Sequence, residues 1–197
     1  MKVLLLEIPS DDHAFEGWLG GTAIQKILEL LDIECTYKLI LSKKYLLESL
    51  KDISDYDVAH LECHSDKEGI CYNPKRVRSL SWNEFAEKLA ENNDLNGKFI
   101  IISGCLAGNI NSKAKLLAQK KTGFKRVFAF DEKIDFDKAI AVWSGFYYLM
   151  SKSDTWTKKT TRQSVQKLRD CFNVNLLYFY PSDGKRIGVN VFPKDDS

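Results

Sequence analysis

Short apolar segments alternate with segments of helical periodicity along most of this chain, and that alternation restricts the fold more than any other feature of the sequence. Residues 2–8 and 98–103 are almost continuously apolar, which is typical of strands buried on both faces of a sheet. Between such runs, apolar residues recur at Ile24, Ile27 and Leu28, a spacing that gives a helix one apolar face. This pattern predicts an α/β fold, a three-layer α/β/α sandwich whose central sheet is mostly parallel and carries helices on both faces.

The same patterns predict the individual elements. Strands are predicted at residues 2–8, 35–41, 57–62, 98–103, 126–130, 175–180 and 185–191, and helices at 19–31, 43–50, 82–91, 113–121, 137–150 and 160–171. Ser81 stands three residues before Glu84, a capping-box spacing that marks a helix start. The strand at 98–103 is the most apolar and is expected at the sheet centre. The polar segment 65–80 is predicted as a loop, with residues 70–72 as one arm of a small hairpin.

The composition is that of an ordinary globular domain. With 197 residues, of which 44% are hydrophobic and 28% charged, the chain can bury one core, so we expect a single domain over residues 1–197. The net charge of +2 provides no basic field for nonspecific nucleic-acid binding. No window reaches the roughly 18 apolar residues of a membrane span, and residues 1–7 are too short for a signal-peptide apolar region. We therefore expect a cytoplasmic protein with neither nucleic acid nor membrane as a partner.

The cysteines give no sign of a disulfide framework. Their number is odd, and they show neither paired CxxC motifs nor zinc-ligand spacing, so no metal and no cofactor are expected. Every cysteine except Cys105 is predicted to be a small buried apolar residue. These are Cys35, Cys63, Cys71 and Cys171.

Two reactive side chains follow predicted strands. His64 comes after the strand at 57–62, and Cys105 after the strand at 98–103, so both are expected at the carboxyl edge of the sheet, where ligands bind in open parallel sheets. A thiol beside an imidazole provides the nucleophile and the general base that nucleophilic acyl transfer requires. Gly104 lets the backbone turn sharply, and the amides of Ser65 and Cys105 are the expected donors to an oxyanion.

At these residues the chain resembles the caspase-like cysteine peptidases, in particular the CHAT branch, which also includes separases. The resemblance lies in residues 58–64 (VAHLECH) and 99–105 (FIIISGC), with the histidine 41 residues before the cysteine. It extends through LSWNEFA, VFAFD and WSGFYY, and covers roughly residues 57–150 and, more loosely, the first strands. The chain departs from the family's sequence pattern at two places. The residues around Cys105 are not the strict caspase pentapeptide, and Ser65 replaces the glycine that commonly follows the histidine.

The resemblance to separases also implies an acidic residue that pairs with a substrate Arg or Lys. Four acids, namely Asp131, Glu132, Asp135 and Asp137, follow the strand after Cys105. Asp135, and then Asp131, is the preferred candidate for this substrate-binding role. The alternative interpretation is a solvated acidic turn that leads into a helix and is favoured by the helix dipole.

The sequence therefore predicts a cysteine endopeptidase that acts on protein or peptide substrates through a thioacyl intermediate. The resemblance further suggests a regulatory protein partner and a role in bacterial defence or cell-death signalling. Two other histidines compete for the catalytic role, His60 inside a strand and His13 in the loop after the first strand. A second functional class is a catalytically silent domain of the same fold that acts as a scaffold. A third, a flavodoxin-like or receiver-like domain, is disfavoured because neither residues 9–20 nor 104–108 resemble a phosphate loop.

Overall fold

The computed structural model describes residues 1–10, 16–17, 19–71, 80–91, 95–109, 124–153, 155–180 and 188–190, so the predicted helix at 113–121 and His13 lie outside the described residues. Nine strands and five α-helices occur within those ranges. The strands are β1 (Lys2–Ile8), β2 (Glu34–Leu39), β3 (Val58–Ser65), β4 (Gly69–Cys71), β5 (Leu80–Ser81), β6 (Phe99–Ser103), β7 (Arg126–Phe130), β8 (Leu176–Tyr180) and β9 (Gly188–Asn190). The helices are α1 (Gly20–Leu30), α2 (Lys43–Ser49), α3 (Trp82–Glu91), α4 (Phe136–Ser151) and α5 (Lys158–Phe172).

One mixed sheet organises these elements, in the strand order β2-β1-β3-β6-β7-β8-β9. The pairs from β2 to β7 are parallel, whereas β8 and β9 run antiparallel to their neighbours. The most apolar strand, β6, lies in the middle, as predicted. Two short strands, β4 and β5, extend from the end of β3. The parallel pairs place the carboxyl ends of β1, β3, β6 and β7 at one edge of the sheet.

Both faces of the sheet are covered by apolar helix surfaces, which confirms the predicted three-layer arrangement. On one face, Leu5 and Ile101 of the strands pack with α1, α4 and α5, whose buried side chains include Trp143, Phe146 and Tyr147. The other face packs with α2 and α3; its buried side chains include Leu46, Trp82, Phe85 and Leu89. Each fully buried side chain of this size stabilises the fold by about 1.5–3 kcal/mol. Within the described ranges, no helix has both the length and the apolar character needed to cross a membrane.

The largest difference from the sequence prediction concerns β3. The predicted strand ends at residue 62, but the observed strand continues to Ser65, so His64 lies within it. The continuation is stabilised by antiparallel pairing with β4, the predicted hairpin arm. The predicted helix cap is present, because the Glu84 N–H donates to Ser81 Oγ at 3.2 Å.

A buried carboxylate joins β1 to the start of α1. Glu7 is 2% exposed and accepts a hydrogen bond of 2.7 Å from the Tyr37 hydroxyl. The backbone amides of Gly20 and Gly21 also donate to it. Burial raises the pKa of Glu7, and these hydrogen bonds oppose that rise. Glu7 therefore satisfies backbone donors at the first turn of α1 that would otherwise lack partners.

The close approach of α1 to Glu7 requires glycine at position 21. A Cβ added to Gly21 would lie 2.6 Å from Glu7 Oε2 and 2.8 Å from Tyr37 Cε2. We expect Gly21→Ala to lower the free energy of unfolding by roughly 1–2 kcal/mol, because overpacking outweighs the better helix propensity of alanine. Urea unfolding would measure the change. Leu30→Ala, in the same helix at an 83% exposed position, is the control and should stay within about 0.5 kcal/mol of wild type. A Gly21→Ala variant as stable as wild type would contradict the packing argument.

Candidate active site

The register of β3 and β6 places the predicted histidine and cysteine at the same level. Glu62 pairs with Ser103, and two residues further along each chain segment come His64 and Cys105. Both line a cavity of about 270 Å³ at the carboxyl edge of the sheet. The other described lining residues are Glu7, Ile8, Pro9, Glu62, Cys63, Ser103, Gly104, Ile134, Asp135, Phe136 and Ala139. The structure therefore brings the two predicted catalytic side chains to one cavity.

Main-chain contacts hold the turn that carries Cys105. The Ser65 hydroxyl donates a hydrogen bond of 2.8 Å to the Cys105 carbonyl. On the other side, the Leu106 N–H donates to the Glu132 carbonyl at 2.9 Å, and Leu106 has a left-handed backbone with φ of 56°. Non-glycine residues in this conformation are uncommon and concentrate at functional sites. The turn is thus fixed between the ends of β3 and β7.

Gly104 is required by the same packing. A Cβ at this position would overlap the Ser65 hydroxyl and would lie 3.0 Å from the Cys63 carbonyl oxygen. A larger residue would therefore displace either the turn or the Ser65 hydroxyl, which donates to the Cys105 carbonyl. The glycine before the cysteine therefore allows close approach of the turn to β3, in addition to the sharp turning that the sequence suggested.

The thiol of Cys105 lies against the loop between β7 and α4. The Ile134 N–H is directed at Sγ over 3.5 Å, and the thiol is 3.6 Å from the Ile134 carbonyl oxygen. Ile134 also lines the cavity. The loop that contains the predicted substrate-binding acids therefore forms one wall of the site.

The hairpin after His64 is fixed by its own hydrogen bonds. The Asp66 carboxylate accepts from the backbone amides of Glu68 and Gly69 at 2.7 and 3.0 Å, which is an Asx-type turn. The Asp66 carbonyl accepts from the indole N–H of Trp82 at 2.9 Å. These contacts tie the end of β3 to α3, and they explain why the acid two residues after the histidine stabilises the loop.

The two predicted substrate-binding acids differ in position. Asp135 immediately precedes α4, is exposed and lines the cavity. Asp131 is not among the lining residues, and its N–H donates to the Asn175 carbonyl of the segment before β8 at 3.0 Å. Only Asp135 shares the cavity with Cys105.

A buried polar cluster beneath the cavity was not identified from the sequence. His60 is fully buried, its Nδ1 is 2.9 Å from the Tyr147 hydroxyl, and its Nε2 is 3.5 Å from Glu62 Oε2. Ser103 lies in the adjacent strand and is also buried. The signal was present in the alternation of β3, because residues 60, 62 and 64 of a strand face the same side.

The other cysteines confirm the sequence prediction only in part. Cys63 is buried, Cys35 and Cys71 are partly buried, and the prediction that Cys171 is buried is wrong because it lies on an exposed position of α5. Burial raises the pKa of Cys63 well above its ordinary value and that of Cys35 to about 11. The amphipathic α5 has an exposed face, and the sequence pattern alone did not place Cys171 on it.

No protein-family model matches the chain, and no curated protein sequence matches it. Solved structures do match. A complex of the pro- and mature domains of RgpB from Porphyromonas gingivalis superposes with a TM-score of 0.55 at 12% identity, over 86% of this chain and 43% of that one. The crystal structure of the Arg specific cysteine proteinase gingipain R (RGPB) superposes with a TM-score of 0.57 at 10% identity, over 86% and 42%.

These similarities show the fold. The chain has the caspase-like α/β fold that is seen in the gingipain R structures, and it spans less than half the length of the gingipain chains.

The different environments of the cysteines predict different rates of alkylation. Because only the thiolate reacts, the exposed Cys171 should react with iodoacetamide at pH 8 roughly 10-fold or more faster than Cys35 and Cys63. Peptide mapping by mass spectrometry after short labelling would measure the rates. In the urea-unfolded control, the three rates should converge. Labelling of Cys63 in the native protein as fast as that of Cys171 would contradict its placement in the core.

Proposed function

We propose that this chain is a cysteine endopeptidase in which Cys105 is the nucleophile and His64 is the general acid and base. The observation that carries the proposal is that His64 and Cys105 each lie two residues beyond a directly paired position of β3 and β6 and line the same cavity. The caspase-like fold of the cysteine proteinases supports it. Membership of the CHAT branch, suggested by residues 58–64 and 99–105, is part of the same proposal.

The chemistry proceeds in two acyl-transfer steps. His64 takes the thiol proton, and the Cys105 sulfur attacks the scissile carbonyl carbon to form a tetrahedral oxyanion. When this species collapses, the C–N bond breaks and His64 gives its proton to the leaving amine. A water molecule, deprotonated by His64, then attacks the thioacyl carbon, and the acid product leaves as the Cys105 sulfur regains its proton.

The backbone amides of Ser65 and Cys105 are the proposed oxyanion donors. Hydrogen-bonded and non-hydrogen-bonded pairs alternate along an antiparallel ladder. The Asp66 N–H donates to the Gly69 carbonyl at 3.0 Å, so the neighbouring pair of Ser65 with Ile70 is the non-hydrogen-bonded kind. The Ser65 N–H is therefore directed away from β4. Ser65 also contacts the Cys105 carbonyl, which keeps the two amides close together.

An Arg or Lys side chain before the scissile bond is the proposed preference. Asp135 supports this preference because it is exposed at the cavity that holds Cys105. Asp131 remains the second candidate, although it does not line the cavity. Regulation by a protein partner is proposed by analogy with the resolved complex of gingipain pro- and mature domains.

Substitution of either catalytic residue tests the proposed dyad. Cys105→Ala and His64→Ala should each reduce peptide cleavage by roughly 10³-fold or more, because the thiolate and its proton carrier act as one unit. Cleavage of a fluorogenic peptide library would measure this, with urea unfolding to verify that the fold is kept. Cys171→Ala, an exposed cysteine in the same chain, is the matched control and should retain wild-type turnover. Wild-type turnover by either dyad variant would exclude the assignment.

Thiol labelling separates the peptidase from a catalytically silent scaffold. In a peptidase, iodoacetamide should label Cys105 faster than the exposed Cys171, with a pH profile that changes in His64→Ala. His60→Gln is the matched histidine control, because His60 is buried below the cavity. This substitution should leave the pH profile of Cys105 labelling unchanged. Slow labelling of Cys105 with a profile independent of His64 would support the scaffold instead.

A further inference from the structure

A second cavity lies at the opposite edge of the sheet from Cys105. It is bordered by Phe99, the first residue of β6, and by Arg126, the first residue of β7, and is called the amino-edge cavity below. Its volume of about 850 Å³ is within the size range of sites for small organic ligands. Because β6 ends at Ser103, which lines the Cys105 cavity, the length of one strand separates the two cavities. The proposed peptidase chemistry does not use the amino-edge cavity.

Two cationic side chains meet at one wall of the amino-edge cavity. The Lys125 ammonium nitrogen is 5.2 Å from the centre of the Phe99 ring, and the Arg126 guanidinium carbon is 6.0 Å from it. Lys125 is exposed, whereas Arg126 is only 4% exposed. Because both cations lie against the same aromatic ring, their positive potentials add at this wall. The wall is therefore complementary to an anion.

An indole N–H provides a hydrogen-bond donor next to these cations. Trp156 lines the amino-edge cavity, is 7% exposed, and its ring centre is 6.2 Å from that of Phe99. Its Nε1 has no hydrogen-bond partner, whereas that of Trp82 donates to a backbone carbonyl. The Nε1 of Trp143 also lacks a partner, but Trp143 does not line this cavity. Since an unpaired buried donor costs free energy, an acceptor bound in the cavity would stabilise Trp156 in its place.

The first turn of α5 adds positive potential at the same cavity. Thr155 and Thr157 line the cavity, and α5 begins with Lys158 and Lys159 directly after them. The N-terminal end of a helix carries a partial positive charge, so acids are favoured and lysines are disfavoured in a first turn. The first turn of α5 contains no acid. A bound anion would offset this unfavourable arrangement.

The negative groups at the cavity are engaged or lie in water. The Asp57 carboxylate accepts a hydrogen bond of 2.8 Å from the Lys2 N–H. Asp32 is exposed, so water and salt screen its charge. The C-terminal end of α4 also borders the cavity, but the Met150 carbonyl already accepts from the Ser153 N–H at 3.2 Å. The positive groups therefore dominate the potential at the wall described above.

We propose that the amino-edge cavity binds a small organic phosphate. Lys125 and Arg126 hold the phosphate oxygens, and the Trp156 N–H donates to one of them. The apolar body of the ligand contacts Ile33 and Met150, which line the same cavity. A phosphate fits this set of donors better than a carboxylate does, because it brings roughly two negative charges and three acceptor oxygens. The inference goes beyond the proposed peptidase and does not depend on it.

The first experiment measures which chemical groups are bound. Calorimetry on the full chain would compare phenyl phosphate with phenol, with inorganic phosphate and with benzoate. Phenyl phosphate should bind at least roughly 10-fold more tightly than each of the three, because it alone joins a phosphate to an apolar body. Binding of phenyl phosphate no tighter than that of phenol or of inorganic phosphate would overturn the proposal. Equal binding of benzoate would overturn the assignment to a phosphate.

The second experiment assigns the binding to residues of the cavity. Lys125→Gln should weaken phenyl phosphate binding roughly 5-fold or more, and Trp156→Phe, which keeps an aromatic ring, should weaken it about 10-fold. Asp32→Asn should strengthen binding, because it removes a negative charge from the cavity. Lys44→Gln, at an exposed lysine of α2 on the other face of the sheet, is the matched control and should leave binding unchanged. Unchanged binding in the folded Lys125→Gln and Trp156→Phe variants would overturn the proposal.

The third experiment locates the ligand by NMR. The chain has four tryptophans, and the indole N–H resonance that disappears in Trp156→Phe identifies Trp156. Phenyl phosphate should shift this resonance farthest of the four, because a hydrogen bond to a phosphate oxygen deshields the indole proton. Cys105→Ala should give the same titration, so the outcome is separate from that of the peptidase assays. A largest shift at another tryptophan would overturn the proposal.

Discussion

The parallel pairing of β3 with β6 is the constraint on which the site depends. In a parallel pair, strands begin at one edge and end at the other, so whatever follows them meets in space. An antiparallel pair would place His64 and Cys105 at opposite edges of the sheet. Because Glu62 is opposite Ser103, the pairing also sets how far along the sheet His64 and Cys105 lie, and both line the same cavity. A shift of one residue would turn one of the two side chains to the other face.

The apolar strands offset the free-energy cost of the buried polar cluster near the proposed dyad. Most of their buried side chains are aliphatic or aromatic, whereas His60 and Glu62 of β3 and Ser103 at the end of β6 are polar. Polar residues inside a buried strand contradict the local pattern, and such contradictions concentrate at functional sites. Tyr147 of α4 partly compensates this cost through its contact with His60. The helix that packs the core therefore also supports the polar cluster.

Much of the fold and part of the candidate site could be predicted from the sequence, for identifiable reasons. The runs at residues 2–8 and 98–103 are too apolar for anything but buried strands, and the order of His64 and Cys105 after strands is visible without coordinates. The extension of β3 to Ser65 was not visible, because a Cys-His-Ser segment has no strand pattern and is held by pairing with β4. The sequence indicates only that Glu62 belongs to a strand. That its Oε2 is buried without a hydrogen-bond partner becomes visible only when the neighbouring strands and α4 surround it.

The turn that carries Cys105, the proposed nucleophile, is held through its own backbone atoms. The Cys105 carbonyl accepts a hydrogen bond from the Ser65 hydroxyl, and the Leu106 N–H donates to the Glu132 carbonyl. In both bonds, the group that belongs to the turn is a main-chain group. Main-chain groups are common to all residue types, so these bonds depend on side chains only at Ser65, whose hydroxyl is the donor, and at Gly104, which has no room for a Cβ. The turn can therefore keep its backbone path while side chains around it change. Changes of sequence around such a turn can alter the side chains that line the cavity before they alter the position of Cys105.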